Sequence, residues 1–172
     1  MKADEVVKMF RHYRHDLLND LQLVHGYASM GNMDKMKEMI QNILKKSEEE
    51  RKLTQLNCPH FMLWLMNFNS TYENIRLTYR IQLKAGDFST IDLSLLATCN
   101  EIIQHLHKYF SKASLYDGEL YIYDDASPKV QLMFPGPIPQ EASMLKTLET
   151  KLFVEKVDAA ADKLTVTMNL PL

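Results

Sequence analysis

Apolar residues near the N-terminus recur at steps of three and four, which is the period of an amphipathic helix. They are Val7, Phe10, Leu17, Leu21, Val24 and Ala28. We expect these side chains to form one buried seam of a helix. The helix is predicted to start after Asp4, whose carboxylate suits the free amides of a first turn, and to stop before Gly31.

A second helix is predicted directly after this break. Asn32 has the side chain of a helix N-cap, and Asp34 is favourably placed near the positive end of the helix. Apolar or small residues then continue a stripe: Met33, Met36, Ile40, Ile43 and Ser47. We interpret the charged run from Glu48 to Lys52 as the solvated end of the helix. Because the connection is short, the two helices are expected to be antiparallel neighbours.

A hairpin of two such helices would leave much of both seams in water, although burial supplies most of the stability of a helix. Two arrangements would cover the seams. A second copy of the chain could pack alongside and close a four-helix bundle, which predicts a homodimer and is the arrangement we favour. Alternatively, the C-terminal segment could fold back over the hairpin.

The pattern changes to short alternating elements after Asn57, Cys58 and Pro59, so we predict two domains, residues 1–57 and 58–172. Helices are expected over 60–74, 93–110 and 140–150, and strands over 76–83, 119–123, 130–134, 152–157 and 164–170. Turns are expected at 85–87 and 124–128. The fold class is therefore α+β, with helices packed against a mostly antiparallel sheet.

Composition narrows the class of protein. With 46% hydrophobic residues, 24% charged residues and a net charge of -2, the chain is expected to be soluble and globular and not to bind nucleic acid. No apolar run approaches the ~20 residues of a membrane helix, and no signal peptide is visible. Cys58 and Cys99 stand alone, which fits reduced thiols in a cytoplasmic protein, although a bridge between them remains open.

The segment from Arg14 to Gln22 carries the candidate chemistry. His15 lies off the apolar seam, and Asn19 and Gln22 follow on roughly the same helical face. At neutral pH an imidazole keeps one ring nitrogen free to attack phosphorus, so His15 is a candidate phosphoryl acceptor. The alternative is an ordinary surface histidine. The other five histidines lack the spacing of a metal site and are expected to be solvated or packed.

Several motifs in this region resemble the dimerisation hairpin of the sporulation phosphorelay phosphotransferase B family and its relatives, the citrate-type sensor kinases. These are the His15-Asp16-x-x-Asn19-x-Leu21-Gln22 segment, the pair Gly26-Tyr27, Gly31 before Asp34, and the helix from Met36 to Ile40. The resemblance implies a dimeric four-helix bundle. Its histidine would accept a phosphoryl group from one response regulator and pass it to another, and His15 matches that position.

The second domain resembles the ATP-binding domain of histidine kinases, but its nucleotide-binding motifs are degenerate. Gln104 stands where the catalytic acid is expected and His105 where a magnesium-binding asparagine is expected. The segment 134–139 has no adenine-binding aspartate and is rich in proline, and after Gly118 only Gly136 remains to approach a phosphate. We therefore expect no bound cofactor and a supporting role, with a different ligand in the vestigial cleft as the weaker alternative.

The resemblance assigns roles residue by residue. His15 is the expected nucleophile, and Asp16 either orients the ring or only solvates the helix. Arg14 either steadies phosphate oxygens or forms a salt bridge within the bundle. Leu18, Asn19 and Gln22 are expected to contact the partner, and Tyr13 could add apolar area near the histidine. Magnesium is expected on the partner receiver domain, with no metal held by this chain.

Three functions remain open at this point. The first is a cytoplasmic histidine phosphotransferase between two response-regulator receiver domains, without ATP-dependent autokinase activity. The second is the core of a citrate-type sensor histidine kinase, which would phosphorylate itself with ATP. The third is a dimeric scaffold without chemistry.

Overall fold

The chain divides into two structural units, Met1–Arg51 and Lys52–Leu172. The computed structural model describes residues 3–83, 86–111, 114–136 and 142–171. The second unit takes in the end of the second helix. The domain boundary predicted after residue 57 stays a prediction.

The first unit consists of two helices, α1 (Ala3–Ser29) and the greater part of α2 (Met33–Thr54). Gly31 has a φ of 67°, in the left-handed region that glycine enters without steric cost, and it turns the chain between the helices. The side-chain oxygen of Asn32 accepts a hydrogen bond from the Lys35 backbone amide at 3.1 Å. The predicted N-cap of α2 is therefore present.

The two helices run antiparallel, as predicted. The Tyr13 hydroxyl donates to Glu50 Oε2 at 3.3 Å, which links the N-terminal half of α1 to the far end of α2. A groove of about 100 Å³ continues along this junction, lined by Tyr13, Leu17, Asp20, Ile43, Lys46, Ser47 and Glu50. Residues at equal distances from the Gly31 turn thus lie opposite each other.

The apolar seam predicted on α1 is mostly exposed in the single chain, as expected for an isolated hairpin. Val7 is 50% exposed, Phe10 65%, Leu17 40% and Leu21 49%. The half-buried positions of α1 include Val6, Met9, Val24 and Tyr27, mostly one residue away from the predicted seam. A helix repeats every 3.6 residues, so one apolar stripe packs while a neighbouring stripe stays in water.

The second unit is an α+β domain, which confirms the predicted fold class. Its elements are α3 (Pro59–Thr71), β1 (Ile75–Ile81), α4 (Asp92–His107), β2 (Tyr116–Asp125), β3 (Ser127–Pro135), α5 (Ala142–Glu149), β4 (Val154–Ala160) and β5 (Lys163–Asn169). The strands form one sheet in the order β1-β2-β3-β5-β4. Only β1 and β2 are parallel, and the other neighbours are antiparallel.

Alternate residues of the central strands point into the core of this unit. Leu120 and Ile122 of β2 and Val130 and Leu132 of β3 are fully buried, whereas the residues between them are half-buried. The helices supply large side chains that are also fully buried, among them Phe61, Phe68, Leu95, Ile102 and Ile103. Apolar side chains that repeat every two residues in the strands and every 3.6 residues in the helices therefore pack into one hydrophobic core.

The connection between β2 and β3 is much tighter than the predicted turn over 124–128. Asp125 pairs directly with Ser127, and Ala126 alone turns the chain with a φ of 57°. The residues predicted as a turn mostly belong to the paired strands. Next to them, Lys129 of β3 forms ion pairs with Asp125 of β2 at 3.2 Å and with Glu155 of β4 at 3.1 Å. Of the other predicted elements, Ala85 in the turn at 85–87 and the start of the helix at Gln140 lie outside the described residues.

The described helices include none long and apolar enough to cross a membrane. Cys58 and Cys99 are both buried and free. Burial raises the pKa of the Cys58 thiol to about 12, and the nearby Asp92 carboxylate adds to this effect. Both thiols are therefore protonated at neutral pH and are packed as small apolar groups.

Asp92 is the first residue of α4, and its carboxylate caps the start of α3. It is buried and accepts hydrogen bonds from the backbone amides of His60 at 3.0 Å and Phe61 at 2.8 Å. His60 Nδ1 lies 2.8 Å from the same carboxylate. Burial alone would raise the pKa of Asp92, but these hydrogen bonds outweigh it and hold the pKa below its ordinary value. One buried carboxylate therefore ties two helices together.

Replacing this carboxylate should destabilise the second unit. In Asp92→Ala two helix-terminal amides lose their acceptor, so we expect the free energy of unfolding in urea at pH 7 to fall by about 2 kcal/mol. Because the folded pKa is depressed, the stabilisation is present above the ordinary pKa of 3.8 and is lost as the pH falls through the folded value. The difference between the proteins should therefore shrink in acid. Asp158→Ala, which removes an exposed ion pair with Lys156, is the control. An equal loss in both variants would contradict this role.

Candidate functional site

His15 lies on the outer surface of α1, away from the groove between the helices. Its side chain is 71% exposed. At about 100° per residue, the groove residues Tyr13, Leu17 and Asp20 lie about 140–200° around the helix from it. The imidazole is therefore accessible to another molecule and does not pack between the two helices of the hairpin.

Two polar neighbours meet the same ring nitrogen of His15. Asn19 Nδ2 lies 3.2 Å from Nδ1, and Asp16 Oδ1 lies 3.4 Å from it. The carboxylate of Asp16 is itself 63% exposed. Among the described residues, none makes a hydrogen bond to Nε2 of His15. The structure thus brings together three of the predicted site residues and leaves one ring nitrogen open.

The two neighbours favour opposite tautomers of the ring. When Nδ1 carries the proton it donates to Asp16, and the lone pair is on the open Nε2. When Nδ1 is unprotonated it accepts from the Asn19 amide, and Nε2 carries the proton. The nucleophilic state is therefore the one with the proton on Nδ1.

The remaining predicted site residues are exposed, and among the described residues no side-chain hydrogen bond joins them to His15. Leu18 is 50% exposed and is offset by about 60° around the helix, which leaves it beside the imidazole face. Gln22 lies two turns further along nearly the same face. Arg14 is about 100° away, and it forms no salt bridge among the described residues. Contact of these three residues with a partner stays a prediction.

Tyr13 does not contribute to the surface around His15. It lines the groove, and the Glu50 carboxylate beside it raises the pKa of its phenol above the ordinary value. Glu50 was not predicted to have any role. Pairing residues that are equidistant from the Gly31 turn would have placed it opposite Tyr13, so the signal was present in the helix register.

Internal contacts occur in or near the segments of the second unit where the resemblance to histidine kinases would place nucleotide-binding motifs. The Tyr72 hydroxyl donates to Asn100 at 3.2 Å on α4, and the His105 ring lies 5.3 Å from that of Tyr109. A Cβ atom added to Gly118 would meet the Phe134 ring at 2.4 Å, so this glycine serves packing. The Gly136 amide donates to the Asp162 carbonyl at 2.6 Å. Residues 137–139 of the proline-rich segment lie outside the described residues.

No group of three or more histidine, cysteine or carboxylate side chains that could hold a metal ion occurs in the described part of the chain. Close to His15 the carboxylates are Asp16 and, about 140° around the helix, Asp20.

Comparison with known proteins finds a family model that matches the first two helices. Residues 1–57 match the family model described as "Sensor_kinase_SpoOB-type, alpha-helical domain". These residues are a third of the chain, and they are similar to the SpoOB-type alpha-helical domain. The match supports the family resemblance seen in the sequence, and His15 lies within the matched residues.

The chain is also similar to sporulation initiation phosphotransferase B of Bacillus subtilis (strain 168), with 28% identity over 120 residues. That match covers 70% of this chain and 60% of the relative. The chain thus spans less than two thirds of the relative's length, and about a third of this chain is not aligned with it.

Two solved structures are similar at a lower level. A bacterial phosphotransferase is 10% identical, with 97% of each chain covered and a TM-score of 0.37. A histidine kinase, ThkA, solved in complex with the response regulator protein TrrA, is 14% identical over 94% of this chain and 61% of that chain, with a TM-score of 0.36.

The tautomer of His15 should respond in opposite directions to its two neighbours. Asp16→Asn removes the carboxylate acceptor and should lower the ratio of Nδ1–H to Nε2–H by about threefold, since one net hydrogen bond is worth about 0.5–1 kcal/mol. Asn19→Ala should raise the ratio by a similar factor. Ring ¹⁵N chemical shifts at a pH where the imidazole is neutral report this ratio, and His12 in the same spectrum is the control. A shift in the same direction in both variants would rule out the competition.

Proposed function

We propose that this protein is a histidine phosphotransferase of a sporulation-type phosphorelay. His15 accepts a phosphoryl group from the aspartyl phosphate of one response-regulator receiver domain and passes it to the aspartate of a second. The observation that carries the proposal is the exposed imidazole with its free Nε2, set within residues that match the SpoOB-type domain. The similarity to a phosphotransferase over most of the chain supports the same class of reaction.

The first transfer needs only a positioned nucleophile and a labile acyl phosphate. The lone pair on His15 Nε2 attacks phosphorus, and the P–N bond forms as the bond from phosphorus to the aspartyl oxygen breaks. The receiver carboxylate leaves with that electron pair. In the second transfer the acceptor carboxylate attacks phosphorus, the P–N bond breaks, and its electrons return to Nε2.

Asp16 and Asn19 are positioning residues in this scheme. The ring gains positive charge as the P–N bond forms, and the Asp16 carboxylate, 3.4 Å from Nδ1, stabilises that charge. Asn19 lies one turn along the helix, so its amide orients the ring from the same face. Arg14, Leu18 and Gln22 are proposed to contact the receiver around the imidazole.

The phosphoryl source in the proposal is another protein and not ATP. Internal contacts of Gly118 and Gly136 occupy backbone that a nucleotide phosphate would have to approach. We propose that the second unit supports the bundle and contacts partners without using nucleotide. Magnesium is supplied by the acidic pocket of the receiver. The cytoplasm is the proposed location, since it keeps the buried thiols of Cys58 and Cys99 reduced.

A second copy of the chain is proposed to cover the exposed apolar stripe of α1, defined by Val7, Phe10, Leu17 and Leu21. On α2, Ile40 and Leu44 are also exposed, by 38% and 63%. Two hairpins that bring these stripes together close a four-helix bundle. Since His15 lies about 80–160° around α1 from the stripe residues, the bundle leaves both histidines accessible.

Transfer from a receiver should depend on His15 alone. A purified receiver domain charged with ³²P-acetyl phosphate in the presence of magnesium should label the wild-type protein, with label that is lost in acid and stable in base. His15→Gln should abolish labelling by at least a hundredfold, because glutamine has no nucleophilic ring nitrogen. His12→Gln is the matched control, since His12 is exposed on the same helix, and it should retain labelling.

The same assay separates the competing functions. Labelled ATP without a receiver should leave the protein unlabelled, and labelling of His15 by ATP would establish the sensor-kinase alternative. No labelling by any receiver of a broad panel would defeat the phosphotransferase proposal. If His15→Gln left phosphoryl flow between two receivers intact, the protein would be a scaffold.

The homodimer makes its own prediction. Wild-type protein should sediment at twice the chain mass of 20.0 kDa. Leu17→Glu combined with Leu21→Glu should weaken the dimer at least a hundredfold, because it places two charges in the apolar contact. Leu18→Glu alters a comparably exposed leucine off the stripe and should stay dimeric. A wild-type mass of one chain at all concentrations would exclude this bundle.

A further inference from the structure

The surface around His15 is electrically asymmetric along the helix. Lys8 and Arg11 precede it by seven and four residues, so they lie about 20° and 40° from it around α1 and about 10 Å and 6 Å along the axis. Both are exposed. On the C-terminal side the same face carries Leu18, Asn19 and Gln22, which are uncharged. A cationic strip, defined as Lys8 and Arg11, therefore borders the imidazole on one side only.

The structure shows no ion pair of these two cations with a described carboxylate of the hairpin. Among the described residues neither Lys8 nor Arg11 forms an ion pair, and the carboxylates of α2 at this level have other partners. Glu48 Oε1 lies 2.7 Å from Arg51, and Glu50 accepts from Tyr13. On α1, Asp16 and Asp20 lie about 100–140° around from His15, and Asp4 shares its face but lies beyond Lys8.

We propose that the cationic strip docks the carboxylate-rich rim of the receiver's phosphorylation pocket. This inference rests on the proposed function, and it adds how the partner is recognised and which way it faces. A receiver needs several carboxylates to hold magnesium beside its phosphorylated aspartate. With His15 opposite that aspartate, those carboxylates come within a Debye length of Lys8 and Arg11. In this orientation the acidic rim of the receiver faces the N-terminal end of α1. Leu18 then contacts a less polar part of the receiver surface.

The effect of salt distinguishes this local strip from the charge of the whole chain. The chain carries a net charge of -2, so an acidic receiver is repelled if overall charge governs the encounter. In that case salt would speed the transfer. If the strip governs the encounter, salt screens an attraction and slows the transfer. The two explanations therefore predict opposite signs.

The experiment measures the second-order rate of transfer from a ³²P-charged receiver domain, with the protein in excess and below saturation, between 25 and 400 mM NaCl at fixed magnesium. For wild type we expect a decrease on the order of fivefold over this range. Lys8→Glu combined with Arg11→Glu should transfer on the order of tenfold more slowly at low salt, with the salt dependence flat or reversed.

Matched controls separate docking from chemistry and folding. Lys37→Glu with Lys163→Glu makes the same change in net charge at exposed sites off the strip, and it should keep the wild-type rate within about twofold and the wild-type salt dependence. Phosphoramidate, a small donor that needs no docking surface, should label His15 in all these proteins at similar rates. Equal rates and salt dependence in wild type and the strip variant would overturn the inference alone, as would a wild-type rate that rises with salt. No transfer to wild type from any receiver would overturn the proposed function, and the inference with it.

Discussion

The circumference of α1 is the constraint on which the rest of the N-terminal unit depends. One side of the helix faces α2 across the groove of Tyr13, Leu17 and Asp20. The adjacent side carries the exposed apolar stripe. Only the opposite side remains for polar chemistry, and His15 lies there with its neighbour Asn19. Because 3.6 residues complete a turn, a shift of one residue in the apolar pattern would rotate the imidazole by about 100° toward a packed surface.

The same constraint links packing to function. An exposed histidine held between a carboxylate and an amide is chemically unremarkable on an isolated helix, since neither contact is strong in water. The hairpin sets the position of His15 relative to the flanking charges, so a partner meets the imidazole and these charges in one order along the helix. In the second unit, the buried Asp92 carboxylate joins the start of α3 to α4.

Elements with a strong period were predictable from the sequence, whereas contacts set by tertiary packing were not. The helical hairpin, its Asn32 cap and the α+β class of the second unit follow from apolar spacing and turn chemistry. The apolar spacing shows that a stripe exists, but not which of two neighbouring stripes packs on α2. The capping of α3 by Asp92 is not visible in the sequence, because its partners His60 and Phe61 are distant along the chain. The tight turn at Ala126 was also missed, since turn composition does not fix loop length.

The sequence predicts which residues form the candidate site, because residue type and helical spacing determine which side chains share a region of α1. His15, Asp16 and Asn19 share a region because of their spacing, and the structure adds that both neighbours meet the same ring nitrogen. Their competition for Nδ1 depends on side-chain torsions, which a sequence pattern does not contain. The cationic strip is visible in the sequence only after the phase of α1 relative to α2 is known.

The most direct measurement of the proposed relay is a chase in two steps. Protein charged at His15 by a labelled receiver is separated from that donor and mixed with a second, unphosphorylated receiver, magnesium and no ATP. The label should move from His15 to the acceptor aspartate within the lifetime of the phosphohistidine and leave the histidine free for another cycle. If across a panel of receivers the label is released only as inorganic phosphate, His15 is not a relay point.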